Sequence, residues 1–179
     1  IPLVIEKEKM HKAAAICADG PILELKEFHK KKVGIITTGN EVYHKRIEDT
    51  FTPVIKEKLA EYDTEVIYHE IFDDNHEKIT KGCLTAIEKG ADLVICTGGM
   101  SVDPDDKTPL AIKNTGAEIV SYGAPVLPGA MFLLSYYKND IPILGLPGCV
   151  MYAKRTIFDL VLPRIMADDK ITAEELASL

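Results

Sequence analysis

Leu93-Val94-Ile95-Cys96-Thr97-Gly98-Gly99-Met100-Ser101-Val102-Asp103-Pro104-Asp105-Asp106-Lys107-Thr108-Pro109 decides how this chain is read. A short apolar run of strand length feeds a two-glycine turn, an acid-rich loop and a Thr-Pro helix start. Glycines let backbone N–H groups approach an anion closely, and a helix N-terminus adds a favourable dipole. Carboxylates in the same loop can grip a divalent cation or place an oxyanion through one. An anion cradle beside a cation grip points to a phosphorylated ligand and metal-assisted chemistry.

The segments around this loop repeat its strand-then-helix rhythm. Val33-Gly34-Ile35-Ile36-Thr37 is a buried-strand run that ends in the turn Thr38-Gly39-Asn40-Glu41. Asp49 is placed to cap a helix with Phe51, Ile55, Leu59 and Tyr62 inward, Pro53 being tolerable in its first turn. Glu65 to Phe72 reads as a second strand, followed by Asp73-Asp74. Asp74 and Glu77 then form a capping-box pair opening a helix that Gly90 stops. Asp92 to Thr97 is the third strand, and Thr108-Pro109 opens a helix that ends between Asn114 and Gly116.

Beyond Glu118 the rhythm changes. Glu118 to Ser121 is a brief strand. Met131 to Tyr136 and Ile141 to Leu146 flank the polar turn Lys138-Asn139-Asp140, the pattern of a hairpin. Pro147-Gly148-Cys149 then opens the longest expected helix, Val150 to Met166, which Pro163 should bend or end early. The whole predicts a three-layer α/β/α fold on a mainly parallel sheet with an antiparallel hairpin element. Residues 1–31, with a helical Met10–Cys17 and a strand-like Ile22–Leu25, read as a leader or linker before a domain at 32–179. The start at Ile1-Pro2, without Met, suggests a piece of a longer chain.

Bulk composition narrows the function classes. The 179 residues carry a net charge of −7, and Lys30-Lys31-Lys32 is the sole basic run, so nucleic acid is not the expected partner. Four cysteines without paired spacing, and five histidines without a zinc motif, suit a reduced cytoplasmic compartment. No apolar run approaches the ~18 residues of a membrane span.

In a parallel sheet, ligands gather where the strands' carboxyl ends meet a switch in strand order. Four turns share that end: Thr38–Glu41, Asp73-Asp74, Gly98–Asp106 and Pro147-Gly148-Cys149. Each also has a plain reading. Gly98-Gly99 alone would be a tight turn, Asp74 a helix cap, Asp103 and Asp105 solvated loop acids, and Thr37 and Thr38 partners for turn backbone. Cys149, beside a helix start, is either a packing residue or a thiol of lowered pKa.

The loop from Gly98 onward resembles the molybdopterin-binding domain family of MogA, MoaB and MoeA. That family carries Gly-Gly-x-Ser/Gly-x-Gly-x-x-Asp after its third core strand, often followed by x-Thr-Pro. Gly98, Gly99, Ser101, Asp106, Thr108 and Pro109 align with it, while Asp103 replaces the middle glycine. Thr38-Gly39-Asn40-Glu41 matches the segment after strand one, and Asp73-Asp74 the acid that opens the second helix. Gly145-Leu146-Pro147-Gly148 matches the MoeA-type Gly-Leu-Pro-Gly-Asn-Pro, with Cys149 and Val150 in place of Asn-Pro. Pro128-Gly129 matches Pro-Gly-Lys-Pro, with Ala130 where the basic residue would stand.

The resemblance, spanning about residues 32–166, implies a MoeA-like C-terminal module that binds molybdopterin in molybdenum cofactor biosynthesis. It implies binding through Thr38, Gly39, Asn40, Glu41, Gly98, Gly99, Met100, Ser101, Thr108, Pro147 and Gly148. Asp74 and Asp106 would be catalytic, and Asp106 with Asp73 would hold Mg²⁺. Molybdate insertion and adenylyl transfer both remain open as the reaction, and relatives are commonly homo-oligomers. A non-catalytic pterin sensor or carrier is the second reading, favoured by Ala130 and Cys149. A flavodoxin-like nucleotide-binding domain ranks lowest, since no GxGxxG or GxxxxGK[ST] is present.

Overall fold

A computed structural model describes residues 3–18, 20–21, 23–103, 106–138 and 140–179. Pro104 and Asp105 of the acid loop, Ile22 and Asn139 lie outside the described residues. Six strands form one sheet: β1 (Lys32–Thr38), β2 (Glu65–Phe72), β3 (Leu93–Thr97), β4 (Glu118–Tyr122), β5 (Leu133–Tyr137) and β6 (Ile141–Leu146). Their order is β2-β1-β3-β6-β5-β4. The β2, β1, β3 and β6 strands run parallel, while β5 is antiparallel to both β6 and β4. The mainly parallel sheet with an antiparallel hairpin is therefore present.

The helices are α1 (Lys7–Ile16), α2 (Asn40–Tyr43), α3 (Phe51–Ala60), α4 (His76–Glu88), α5 (Thr108–Asn114), α6 (Ile157–Met166) and α7 (Ala173–Ala177). The two-sided burial of β1 and β3 explains their unbroken apolar runs. Val33, Ile35, Leu93 and Ile95 pack with α3 and α6 on one face. Ile36, Val94 and Cys96 pack with α4 and α5 on the other. Helices on both faces give the expected three layers. Helix α1 buries none of its side chains.

Three expectations are corrected. Asn75, not Asp74, caps α4: its Oδ1 accepts from the N–H groups of Glu77 at 2.9 Å and Lys78 at 3.1 Å. Strand β2 ends at Phe72, where Gly39 N–H still donates to the Phe72 carbonyl at 3.1 Å, and that placement puts the cap one residue beyond Asp74. The long helix does not begin at Val150. Gly148–Met151 is a single 3₁₀ turn, and α6 starts at Ile157 behind a capping box of Thr156 and Asp159. Pro163 sits inside α6, which ends three residues later at Met166. Residues 23–25 form no strand.

Asp49 does act as the cap expected of it. Its Oδ1 accepts from Phe51 and Thr52 N–H, both at 3.0 Å. These are orphan donors of the first turn, and Pro53 behind them has none to satisfy.

Candidate functional site

The chain leaves β1 for β2 on one side and then crosses to β3 on the other, so the switch in strand order falls between the carboxyl ends of β1 and β3. The helix after β1 (α3) and the helix after β3 (α5) lie on opposite faces, which opens a crevice there. A cavity of about 470 Å³ occupies it. Thr38 to Val42, Asp74, Gly99, Asp103 and Asp106 line it, with Ile47 and Phe51 as an apolar wall. Four of these residues are acids, Glu41, Asp74, Asp103 and Asp106, and none is Lys or Arg.

Close backbone contact explains the glycine pair. Gly98 has φ +81°, and a Cβ there would lie 2.2 Å from the Thr38 carbonyl oxygen. Gly99 has φ +56°, and a Cβ there would lie 2.8 Å from Thr108 Oγ1. Thr108 donates its hydroxyl to the Gly98 carbonyl at 2.8 Å and meets Thr38 Oγ1 at 3.1 Å. Both threonines are buried, so Thr38 and Thr108 bind the loop to the sheet from beneath the cavity. Helix α5 itself spans seven residues, so the loop rather than the helix shapes the site.

Asp74, released from capping, faces the cavity. Its Oδ2 accepts from Asn40 N–H at 3.1 Å, and Asn40 Oδ1 accepts from Asp74 N–H at 3.5 Å. This reciprocal pair ties the loops after β1 and β2 together. Asp73 turns away to Lys78, whose Nζ donates to its Oδ2 at 2.6 Å, while Asp73 Oδ1 is buried without a hydrogen-bond partner among the described residues. The bond to Asp73 holds the Lys78 ammonium above its ordinary pKa. Among the described residues no group of three or more His, Cys, Asp or Glu is arranged to hold a metal ion.

Met100 and Ser101 differ in role from the glycines before them. The Met100 side chain is buried, pressed against Gly145 of β6, where any Cβ would lie 2.5 Å from its Cε. Ser101 directs its backbone N–H and its hydroxyl to Asp106 Oδ2, each at 2.6 Å. Tyr122 of edge strand β4, a residue that no motif in the sequence marks, donates its hydroxyl to the Ser101 carbonyl at 3.2 Å.

Three of the four expected turns meet at the cavity, and the fourth does not line it. Pro147 is buried and Gly148 exposed, and Gly148 has neither a left-handed φ nor any atom within 4 Å of a would-be Cβ. Val150 and Met151, just beyond, line a separate cavity of about 300 Å³ against α3. Burial pushes the Cys149 thiol up, the opposite direction from the lowered pKa of an activated thiol.

Behind the apolar wall lies a polar knot that the sequence did not announce. His69 Nε2 of β2 meets Thr52 Oγ1 at 3.0 Å and Thr37 Oγ1 at 3.3 Å, and Thr52 donates to Asp49 Oδ2 at 2.5 Å. Burial lowers the His69 pKa, outweighing the opposing attraction of Asp49, and Lys56 lowers it further. The folded chain therefore favours neutral His69, and the unfolded chain binds the proton more readily. Its contribution is complete above the unfolded value near ~6.5 and lost as pH falls through the lower folded value. Urea midpoints measured between pH 7.5 and 5 should fall on the acid side, and His69→Gln should flatten that step. An unchanged step in the variant would assign it to other groups.

A family model described as a probable molybdopterin binding domain matches residues 34–167. The molybdopterin molybdenumtransferase of Haemophilus influenzae is 31% identical over 151 residues, 80% of this chain; the chain spans 37% of that relative's length. Among solved structures, the tungsten cofactor synthesizing protein MoaB of Pyrococcus furiosus superposes with a TM-score of 0.59 at 20% identity, covering 76% of this chain and 92% of MoaB. CinA of Thermoplasma acidophilum, a protein of unknown function, gives 0.62 at 19% identity, covering 76% of this chain and 98% of CinA. At these identities the structural likeness concerns the fold. No helix among the described residues is long and apolar enough to cross a membrane.

Proposed function

The chain belongs to the molybdopterin-binding domain family, and on that footing we propose that the crevice between β1 and β3 binds molybdopterin as part of molybdenum cofactor biosynthesis. The observation that carries this reading is the convergence of three strand-end loops on one cavity at the switch in strand order. Gly99 puts backbone without a side chain on the lining for a phosphate to approach, and Val42, Ile47 and Phe51 give a flat ring an apolar wall to lie on.

Among the described residues the lining carries four carboxylates and no base, which repel a free anion. A divalent cation offsets that repulsion, and the hard oxygens of Asp74 and Asp106 suit Mg²⁺. With no three-residue cluster among the described residues, such an ion would take its remaining ligands from the phosphate and water. The chemistry it supplies is charge neutralisation at the transferring centre, for molybdate insertion or adenylyl transfer. Asp74, held by the Asn40 backbone, keeps a carboxylate at a fixed place beside that centre.

The non-catalytic carrier remains the second reading, favoured by the absence of a basic side chain on the cavity lining among the described residues and by Ala130 and Cys149 at the divergent positions. Pterin fluorescence during titration with molybdopterin tests binding, with ATP and NAD as competitors. Saturable molybdopterin binding that Asp74→Asn leaves nearly intact, together with a turnover loss of about 100-fold or more, marks an enzyme. Equal losses in both mark a carrier. Tight NAD binding without pterin affinity overturns the reading.

A further inference from the structure

Strand β2 closes one end of the sheet order, and β1 is its sole strand partner among the described residues. Its outer row of backbone N–H and C=O groups is therefore paired with no strand, the arrangement onto which an extended chain adds. Burial marks the same edge as unfinished. Val66, Ile67, Tyr68, Ile71 and Phe72 make β2 largely apolar, yet none of its residues is fully covered, whereas every residue of β3 is buried.

Helix α4 runs beside this edge, and a groove of about 360 Å³ lies between them. Gly82 is part of its lining. A Cβ there would lie 2.5 Å from Phe72 Cε2, so the bare backbone lets the ring lie against the helix. Lys78, Lys81 and Lys89 line the groove from one stripe of α4. Glu70, the acid on the lining, already accepts from the Tyr68 hydroxyl. Burial and Glu70 push the Tyr68 pKa up, so that hydroxyl stays a donor. Lys89 Nζ sits over the Tyr68 ring, 4.5 Å from its centroid, and Lys78 is held by Asp73. Lys81 makes no hydrogen bond or ion pair among the described residues. Such a basic stripe stands out on a chain whose net charge is −7.

Charge and backbone together select the occupant. A polypeptide strand satisfies open N–H and C=O groups, which a nucleic acid does not, and the chain's overall charge repels a polyphosphate. A second copy is repelled as well. Antiparallel pairing of β2 with itself about a two-fold axis keeps both α4 helices on one face and sets lysine beside lysine. We propose that the β2 edge and the α4 lysines dock an extended acidic segment of a partner protein, which adds to the six-stranded sheet as a further strand. Its carboxylates on the α4 face meet Lys81 and Lys89, and its backbone pairs with β2. Lys78 bonds Asp73, the neighbour of crevice residue Asp74, so the partner arrives beside the crevice. The docking does not depend on what that crevice binds.

The test uses a capped peptide of alternating Glu and Val, matched to the eight residues of β2. Fluorescence anisotropy gives affinity, and ¹H–¹⁵N spectra give the site. Wild type should bind the peptide saturably and shift the amide resonances of residues 65–72. A Lys-Val peptide of the same length should bind at least about tenfold more weakly. A Glu-Pro peptide keeps the charge but lacks N–H donors for the ladder, and it should also lose about tenfold or more. Lys81→Glu/Lys89→Glu should weaken the Glu-Val peptide by about tenfold and strengthen the Lys-Val peptide, a reversal that misfolding does not produce.

Equal binding of the Glu-Val and Glu-Pro peptides overturns the proposal, since charge alone would then be at work. Amides of β2 that stay unmoved by the Glu-Val peptide overturn it too, and leave the lysines as guards of an open edge. Sedimentation that reveals a dimer whose formation shifts those amides assigns the edge to a second copy. Tighter binding of single-stranded DNA that the double variant abolishes assigns it to nucleic acid. Either result refutes the acidic strand.

Discussion

Gly98→Ala should weaken molybdopterin binding by about 100-fold or more and cost the fold on the order of 3 kcal/mol. Two penalties combine. At φ +81° an L-residue is strained by about 1–2 kcal/mol before any contact is considered. The added methyl would also sit 2.2 Å from the Thr38 carbonyl oxygen, a backbone atom at the end of a strand paired on both sides. Neither partner can yield, so the loop must lift, and Thr108 then loses its bond to the Gly98 carbonyl. Affinity should fall by about 100-fold or more, since the lifted loop carries Gly99, which lines one cavity with Thr38. Gly148→Ala is the contrast, because nothing lies within 4 Å of its added carbon, and its stability should match wild type. The chain has no Trp, so urea unfolding followed by circular dichroism gives stability, and pterin fluorescence gives affinity. A Gly98→Ala protein with wild-type values in both would remove the close approach from the account of the site.

The fold was legible because its central strands are buried on both faces, which leaves unbroken apolar runs in β1 and β3, and because turn residues punctuate them. The site was legible in its loops and less so in its side chains. Asp73, Asp74 and Asn75 can all cap a helix, and only the point where β2 stops pairing selects Asn75. Pro147-Gly148 resembles a helix start, yet the capping pair that opens α6 is Thr156 with Asp159, a Thr-x-x-Asp spacing visible in the sequence and outweighed by the motif. Met100 follows two glycines and looks like part of the cradle. Its side chain goes down, because Gly145 on the neighbouring strand leaves a hole that it fills.

The contacts that crossed long stretches of chain were not legible. Tyr122 reaches Ser101 only because the antiparallel hairpin places β4 at the sheet edge, a placement that local pattern does not encode. The His69 knot joins two strands and a helix start through residues that each look ordinary alone. The pairing of Ser101 with Asp106 is local, five residues apart, but which partner a loop acid chooses depends on a backbone path that spacing does not specify.

Asp159→Ala should destabilise the protein by about 3–5 kcal/mol, a large share of the ~5–15 kcal/mol that holds a domain together. Asp159 is 6% exposed in its side chain and serves two masters. Its Oδ2 accepts from Thr156 N–H at 2.7 Å and so completes the cap of α6. Its Oδ1 accepts from Lys58 of α3 at 2.5 Å, joining the two helices on one face of the sheet. Removing it leaves the Lys58 ammonium, itself 13% exposed, with only the Lys154 carbonyl at 3.1 Å as a partner among the described residues. An uncompensated buried charge is the larger penalty, with the lost cap adding about 1 kcal/mol. The double variant Lys58→Met/Asp159→Ala separates the two. With no charge left to strand, it should be more stable than Asp159→Ala alone, the residual deficit being the cap. Ligand affinity in Asp159→Ala, measured well below its unfolding midpoint, should change little, because Asp159 lines the cavity beside Val150 and not the crevice at Asp74. A double variant as unstable as the single one would show that the stranded ammonium is not what the carboxylate prevents.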